Sequence, residues 1–202
     1  MHASAEKKGL TIWLTGLPSA GKSTIARKLA TLLKDEGHRV TVLDGDEVRE
    51  RLNKGLGFSK EDRDENIRRI AYVARLLTEA GSAVIVAAIS PYRDARDAAR
   101  AEIGRFAEIH VSCSLEECIR RDVKGLYKKA LAGTLDHFTG VSDPYEPPLM
   151  PELVVETDRE APLDSARGIL FCLQSLGYVT ISTLKELAPT ERLAPIQTGS
   201  EA

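Results

Sequence analysis

The stretch GLPSAGKST fits the pattern G-x-x-x-x-G-K-[ST] at Gly16, Gly21, Lys22 and Ser23, a spacing that grips the phosphates of a nucleoside triphosphate. Across Gly16, Leu17, Pro18, Ser19, Ala20, Gly21, Lys22, Ser23 and Thr24, the glycines let the backbone close on a phosphate. Backbone N–H groups and the helix N-terminus behind them add donors and positive dipole. Lys22 can reach the β- and γ-phosphates, and the Ser23 hydroxyl can ligate Mg²⁺. The chemistry on offer is binding or transfer of a phosphoryl group, and the loop leaves the acceptor open.

Further constellations bear on the acceptor. In DGDEVR, Asp44, Asp46 and Arg49 bring two acids and a base together around Gly45. A carboxylate near Mg²⁺ can orient an attacking hydroxyl or take its proton; the same aspartate position also suits a helix N-cap. In FSKEDRDENIRRIA, Ser59 and Asp62 match an S-x-x-[DE] cap, and helical spacing puts Arg63 and Asn66 on the face of Ile67, Ile70 and Leu77. An inward arginine needs an internal carboxylate or an anionic ligand. Phe58, just before the cap, fits a hydrophobic staple or a surface for stacking a base. In ISPYRDAR, Pro91 biases Ser90 to extended geometry and suits a first helical position, so Ser90 reads as an N-cap or as a hydroxyl that binds substrate or accepts phosphate.

These residues need elements to hold them. Strands are predicted over Leu10–Thr15, Val40–Leu43, Ala83–Ile89, Phe106–Val111 and Leu153–Glu156. Helices are predicted over Lys22–Lys34, Glu47–Leu52, Glu61–Ala80, Pro91–Ile103, Leu115–Arg121, Lys124–Ala130 and Leu163–Leu176. Near-continuous apolar strands alternating with helices imply a mainly parallel sheet covered on both faces, with ligands beyond the strands' C-terminal ends. Gly133–Pro151, with prolines 144, 147, 148 and 151, reads as a long loop. A loop of that length beside the basic helix RDVKGLYKKA suits a lid that excludes water during phosphoryl transfer; a solvated basic face is the alternative.

The chain has 202 residues, 43% of them hydrophobic, which suits one well-buried domain. Its boundaries are expected at a flexible 1–8, a kinase-type domain over 9–180 and a flexible tail over 181–202, the tail holding a short helix at most. A net charge of -2 supplies no bulk basic field, so neither nucleic acid nor a membrane surface is an expected partner. Cys113, Cys118 and Cys172 lack metal-type spacing and fit reduced thiols in a cytoplasmic protein. No secretory signal or membrane-length apolar run is visible.

GLPSAGKST, DGDEVR, LGFSKEDRDENIRRIA, ISPYRDAR, RDVKGLYKKA, FTG and YEPPLMPEL occur in the order found in adenylyl-sulfate kinases, and over about residues 9–177 the chain resembles that family. The resemblance implies a P-loop NTPase-like three-layer α/β/α fold with a lid. It also implies an enzyme that uses ATP and Mg²⁺ to phosphorylate the 3′-hydroxyl of adenosine 5′-phosphosulfate in sulfate activation, giving 3′-phosphoadenylyl sulfate and ADP. It assigns Gly16–Thr24 to ATP, and Asp44, Asp46, Arg49, Phe58, Arg63, Asn66, Ile89 and Ser90 to the acceptor, with Lys124 and Phe138 reaching it through the lid. Lys22, Asp44, Asp46 and Ser90 are the catalytic candidates, Ser90 as phosphoserine intermediate or substrate contact, and Ser23 the Mg²⁺ ligand. A homodimer and a functional link to a sulfate adenylyltransferase are implied as well. One departure is Pro18-Ser19 where the family often has Ser-Gly, which removes one N–H donor from the loop.

Three rivals stand beside this reading. Another small phosphoryl transferase, acting on a sugar acid or nucleoside monophosphate, explains the loop but not ISPYR with FTG. A nucleotide-dependent switch requires a guanine-reading N-K-x-D, and Asn53-Lys54-Gly55-Leu56 lacks the aspartate. A silent regulatory subunit has no need of Lys22, Asp44 and Asp46 together.

Overall fold

The computed structural model describes residues 8–182. Five strands, β1 (Leu10–Thr15), β2 (Val40–Asp44), β3 (Ala83–Ala87), β4 (Phe106–Ser112) and β5 (Leu153–Glu156), form one parallel sheet in the order β2-β3-β1-β4-β5. The helices are α1 (Lys22–Asp35), α2 (Gly45–Arg51), α3 (Lys60–Glu79), α4 (Arg93–Ile103), α5 (Leu115–Arg121), α6 (Leu126–Leu131) and α7 (Pro162–Ser175).

Strand alternation sorts side chains into two cores. Leu10, Ile12 and Leu14 of β1, Ala83, Ile85 and Ala87 of β3, and Ala107, Ile109 and Val111 of β4 pack with α1 and α7 residues such as Leu29 and Ile169. On the opposite face Trp13, Val84, Val86 and Phe106 pack with Ile67, Ile70 and Ala74 of α3 and Ala99 of α4. β1 is covered on both faces, so the sequence LTIWLT has no exposed position and is apolar apart from two threonines. Its two threonines are satisfied by side-chain bonds, Thr11 Oγ1 to Thr78 Oγ1 at 2.8 Å and Thr15 Oγ1 to the Ile89 carbonyl at 2.7 Å. β1 lies between β3 and β4, and the chain crosses from β1 over β3 to reach β2 at the edge. The C-terminal ends of β1, β2 and β3 therefore open on one crevice.

Boundaries move where local chemistry overrides periodicity. β3 stops at Ala87 rather than Ile89, and α4 begins at Arg93 rather than Pro91, because residues 88–92 leave regular structure, with Ser90 at φ 47. α6 begins at Leu126 rather than Lys124, behind Gly125 at φ 66. The expected terminal segments, 1–8 and 181–202, lie outside the described residues except at 8, 181 and 182. Ile181 is buried, and the exposed Ser182 donates its N–H to Glu36 Oε2 at 2.7 Å.

Candidate active site

The phosphate-loop sequence turns sharply off β1. A Cβ at Gly16 lies 2.3 Å from the Val111 carbonyl oxygen, so the first glycine of the motif is fixed by the close approach of β4. Ser19 occupies the left-handed region at φ 61, where a glycine is unstrained, and Gly21 at φ 105 turns the chain into α1. Two side chains brace the loop from outside the motif. The Tyr127 hydroxyl donates to the Pro18 carbonyl at 3.1 Å, and Thr157 Oγ1 donates to the Ala20 carbonyl at 2.7 Å. Lys22 is buried, and its ammonium donates to the Gly16 and Leu17 carbonyls at 2.8 and 2.7 Å. Burial lowers its pKa from 10.5 to about 8, against the attraction of Cys118, Asp46 and Asp44.

At the end of β2 both readings of Asp44 hold at once. Its Oδ1 accepts from the Asp46 N–H at 3.1 Å as the N-cap of α2, while its Oδ2 accepts from Ser23 Oγ at 2.6 Å. A hydroxyl and a carboxylate side by side at a phosphate loop are hard oxygen donors suited to Mg²⁺, which takes its remaining ligands from phosphates and water. Among the described residues no group of three or more His, Cys, Asp and Glu side chains gathers to hold a metal, so the protein's share of such a site is this pair. Asp46 is exposed and paired with Lys124 across the crevice.

The acceptor side is cationic and aromatic. Phe58 is 48% exposed, with the Arg49 guanidinium 4.6 Å and the Arg63 guanidinium 5.5 Å from its ring centre. It is an exposed ring with two cations beside it, not a staple. Arg49 donates to the Gly57 carbonyl at 2.6 Å. Arg63 is buried on the inner face of α3, as its spacing predicts; it donates to the Phe58 carbonyl at 2.9 Å and to the His137 carbonyl, and its carboxylate partner is Asp143 at 3.5 Å. Burial pushes both guanidinium pKa values down, and Arg63 adds to the effect on Arg49. Asn66 Oδ1 accepts from Asn53 Nδ2 at 2.7 Å. Ser59 accepts from the Asp62 N–H at 3.1 Å, which is the expected cap.

Ser90 departs from expectation. It is not an extended N-cap before a proline-led helix: its φ is 47, and the N-cap of α4 is Tyr92, which makes no side-chain cap bond. Two interactions outweigh the bias from Pro91. Trp13 Nε1 donates to Ser90 Oγ at 2.9 Å, and Arg96 Nη1 donates to the Ser90 carbonyl at 2.6 Å. A non-glycine residue in this region costs about 1–2 kcal/mol, so the turn is strained and held.

One cavity of about 490 Å³ gathers these groups, within the range of small-molecule sites. Pro18, Ser19, Gly21, Lys22, Ser23 and Thr24 line it, together with Asp44, Asp46, Arg49, Phe58, Arg63, Asn66, Ile89, Ser90, Lys124 and Phe138. Gly16, Leu17 and Ala20 of the motif do not line it. Phe138 is buried edge-on against Tyr127, with ring centres 4.9 Å apart, which fastens the 133–151 loop to α6. Sequence reasoning missed Tyr127, whose apolar spacing with Leu126 and Ala130 was the available signal. It also missed Trp13, Arg96 and Thr157, whose partners are far away in the chain.

A parallel sheet ordered 2-3-1-4-5, with a phosphate loop behind its central strand and a Ser–Asp pair beside the loop, defines a P-loop kinase fold. The adenylylsulphate kinase family model matches residues 8–156. The adenylyl-sulfate kinase of Rippkaea orientalis is 56% identical over 174 residues, covering 86% of this chain and 96% of that one. The structure of the Mycobacterium tuberculosis APS kinase CysC in complex with AMPPNP and APS superposes with a TM-score of 0.79 at 42% identity, over 83% of this chain and 98% of that one. A probable bifunctional SAT/APS kinase of Sorangium cellulosum is 54% identical over 85% of this chain and 29% of its own length. The chain belongs to the adenylylsulphate kinase family.

Proposed function

We propose that the protein transfers the γ-phosphoryl group of ATP to the 3′-hydroxyl of adenosine 5′-phosphosulfate, releasing ADP and 3′-phosphoadenylyl sulfate. The observation that carries this reading is a single cavity lined both by the phosphate loop and by the cluster of Arg49, Phe58 and Arg63. The Mycobacterium tuberculosis relative, solved with AMPPNP and APS, supports the pairing of these two ligands.

In this reading the loop amides and Lys22 hold the β- and γ-phosphates, with the Lys22 ammonium leaving the Gly16 and Leu17 carbonyls for phosphate oxygens. Ser23 and Asp44 hold Mg²⁺, which neutralises charge developing on the transferred group. Asp46 orients the acceptor hydroxyl and receives its proton, and Lys124 moves between Asp46 and the phosphates as the lid closes. Arg49 and Arg63 take the phosphosulfate anion, and Phe58 and Phe138 offer ring surfaces to the adenine, whose edge meets the backbone at Ile89. Asn66 lies in the same wall, its amide oriented by Asn53. Transfer is direct. The Ser90 hydroxyl is buried, accepts from Trp13 and faces the Ala88 carbonyl at 3.4 Å, so it serves the turn rather than carrying phosphate.

Homodimer assembly, a functional link to a sulfate adenylyltransferase and a cytoplasmic site of action belong to the same proposal. The Sorangium cellulosum relative supports the link, and three free cysteines support the location. No helix among the described residues is long and apolar enough to cross a membrane. The test is a coupled ADP-release assay comparing adenosine 5′-phosphosulfate with gluconate, nucleoside monophosphates and no acceptor. ADP formation that requires adenosine 5′-phosphosulfate is the expected result, and equal release without it overturns the proposal.

A further inference from the structure

Behind the acceptor wall lies a guanidinium that no step above uses. Arg96 of α4 is 1% exposed and joins three segments distant in the chain. Its Nε donates to Glu108 Oε1 on β4 at 2.6 Å, its Nη1 to the Ser90 carbonyl at 2.6 Å, and its Nη2 to the Glu146 carbonyl in the 133–151 loop at 2.7 Å. The Tyr145 ring centre is 5.9 Å from the same guanidinium, and the Tyr145 hydroxyl is 3.0 Å from Thr15 Oγ1. Thr15 in turn donates to the Ile89 carbonyl. The backbone of Ile89 and Ser90 is thus held by side chains from β1 and α4, and the 145–146 segment is held by the same two.

Stability alone is a poor reason for such a group. Replacing a buried ion pair by apolar residues of similar volume is often neutral or stabilising. What a planar fork supplies is orientation, since its donors leave at fixed angles toward several acceptors at once. Ser90 needs that, because a non-glycine residue at φ 47 persists only where its surroundings over-determine it. Its hydroxyl is held by Trp13 and its carbonyl by Arg96.

We propose that Arg96 is a positioning residue for the acceptor nucleotide: it holds the Ile89–Ser90 turn in its left-handed form and fixes the 145–146 segment against it, giving the acceptor wall a single shape. The proposal rests on the function proposed above. Arg96→Lys keeps a cation for Glu108 but replaces the fork by one ammonium that cannot serve three segments. Trp13→Phe keeps an aromatic ring against Phe106 and removes the N–H that Ser90 Oγ accepts, together with part of the buried indole volume.

The experiment measures KM for each substrate, kcat, and the Kd of adenosine 5′-phosphosulfate by calorimetry, in both variants and the parent protein. For Arg96→Lys the expected rise in KM and Kd for adenosine 5′-phosphosulfate is about tenfold, equivalent to about 1.4 kcal/mol. Trp13→Phe raises both in the same direction, while KM for ATP stays within about twofold in each variant. A merely structural role raises both KM values or lowers kcat with the folded fraction. Parallel loss for both substrates, or no change for either, in folded Trp13→Phe overturns the proposal even where Arg96→Lys does not fold. Failure of the underlying function is read separately, as a parent protein that releases no ADP in response to adenosine 5′-phosphosulfate.

Discussion

Lys22→Met is expected to stabilise the protein at neutral pH while removing its activity. The ammonium is buried against its own loop, and its pKa falls from 10.5 to about 8 with burial as the largest cause. That displacement corresponds to about 3 kcal/mol spent, below pH 8, on keeping the charged form inside the folded protein. Methionine removes that cost and also the bonds to the Gly16 and Leu17 carbonyls, each worth about 1 kcal/mol net. The expected gain at pH 7 is therefore about 1–2 kcal/mol. Between pH 8 and 10.5 the unfolded parent chain binds more protons at this lysine than the folded one, so parent stability rises with pH across that window relative to the variant. The advantage of Lys22→Met is used up by about pH 9, and above 10.5 the parent is the more stable by about 2 kcal/mol. Urea denaturation of both proteins from pH 7 to 10.5 measures the difference, and the subtraction cancels groups the two share. ADP release should fall by over roughly a hundredfold, the scale for losing a preorganised charge stabiliser. A variant less stable than its parent at pH 7, or a stability difference that does not change with pH, refutes the reasoning; near-parental activity removes the nucleotide assignment.

Gly16→Ala, whose Cβ meets the Val111 carbonyl at 2.3 Å, should cost more than about 3 kcal/mol in urea denaturation. Gly21→Ala, with Thr157 3.7 Å away, should lose only the left-handed backbone penalty of about 1–2 kcal/mol; similar costs at the two positions contradict the close-approach argument. Ser19→Gly relieves a residue at φ 61 and should raise stability by about 0.5 kcal/mol after the entropy of glycine is subtracted, whereas a lower Tm counts against strain there. Ser90→Ala should keep substantial turnover, and loss of nearly all activity with intact adenosine 5′-phosphosulfate binding rules out direct transfer.

Local signals carried most of the sheet and the phosphate half of the cavity. GLPSAGKST states its own geometry because the motif lies within one turn and its ligands are neighbours in the chain. The Ser59 cap and the inward face of Arg63 were legible for the same reason, since helical periodicity and capping act over three or four residues. The partner of Arg63 was not, because Asp143 reaches it from a loop without periodicity. The extended N-cap reading of Ser90 failed for a related cause. Pro91 gives a local bias toward extended geometry, but Trp13 and Arg96 override it from β1 and α4, and no spacing rule links position 90 to position 13. The brace on the Pro18 carbonyl follows the same pattern, because eight elements separate Tyr127 from the loop in the chain.

The central claim is that this chain moves a phosphoryl group between two nucleotides bound in one cavity. Incubation with γ-labelled ATP, Mg²⁺ and adenosine 5′-phosphosulfate, followed by separation of the nucleotides and selective 3′-dephosphorylation of the product, tests it most directly. The account predicts label in 3′-phosphoadenylyl sulfate that the 3′-phosphatase step removes, and none retained on protein after denaturation. Label appearing only as inorganic phosphate, or remaining covalently on Ser90, contradicts it.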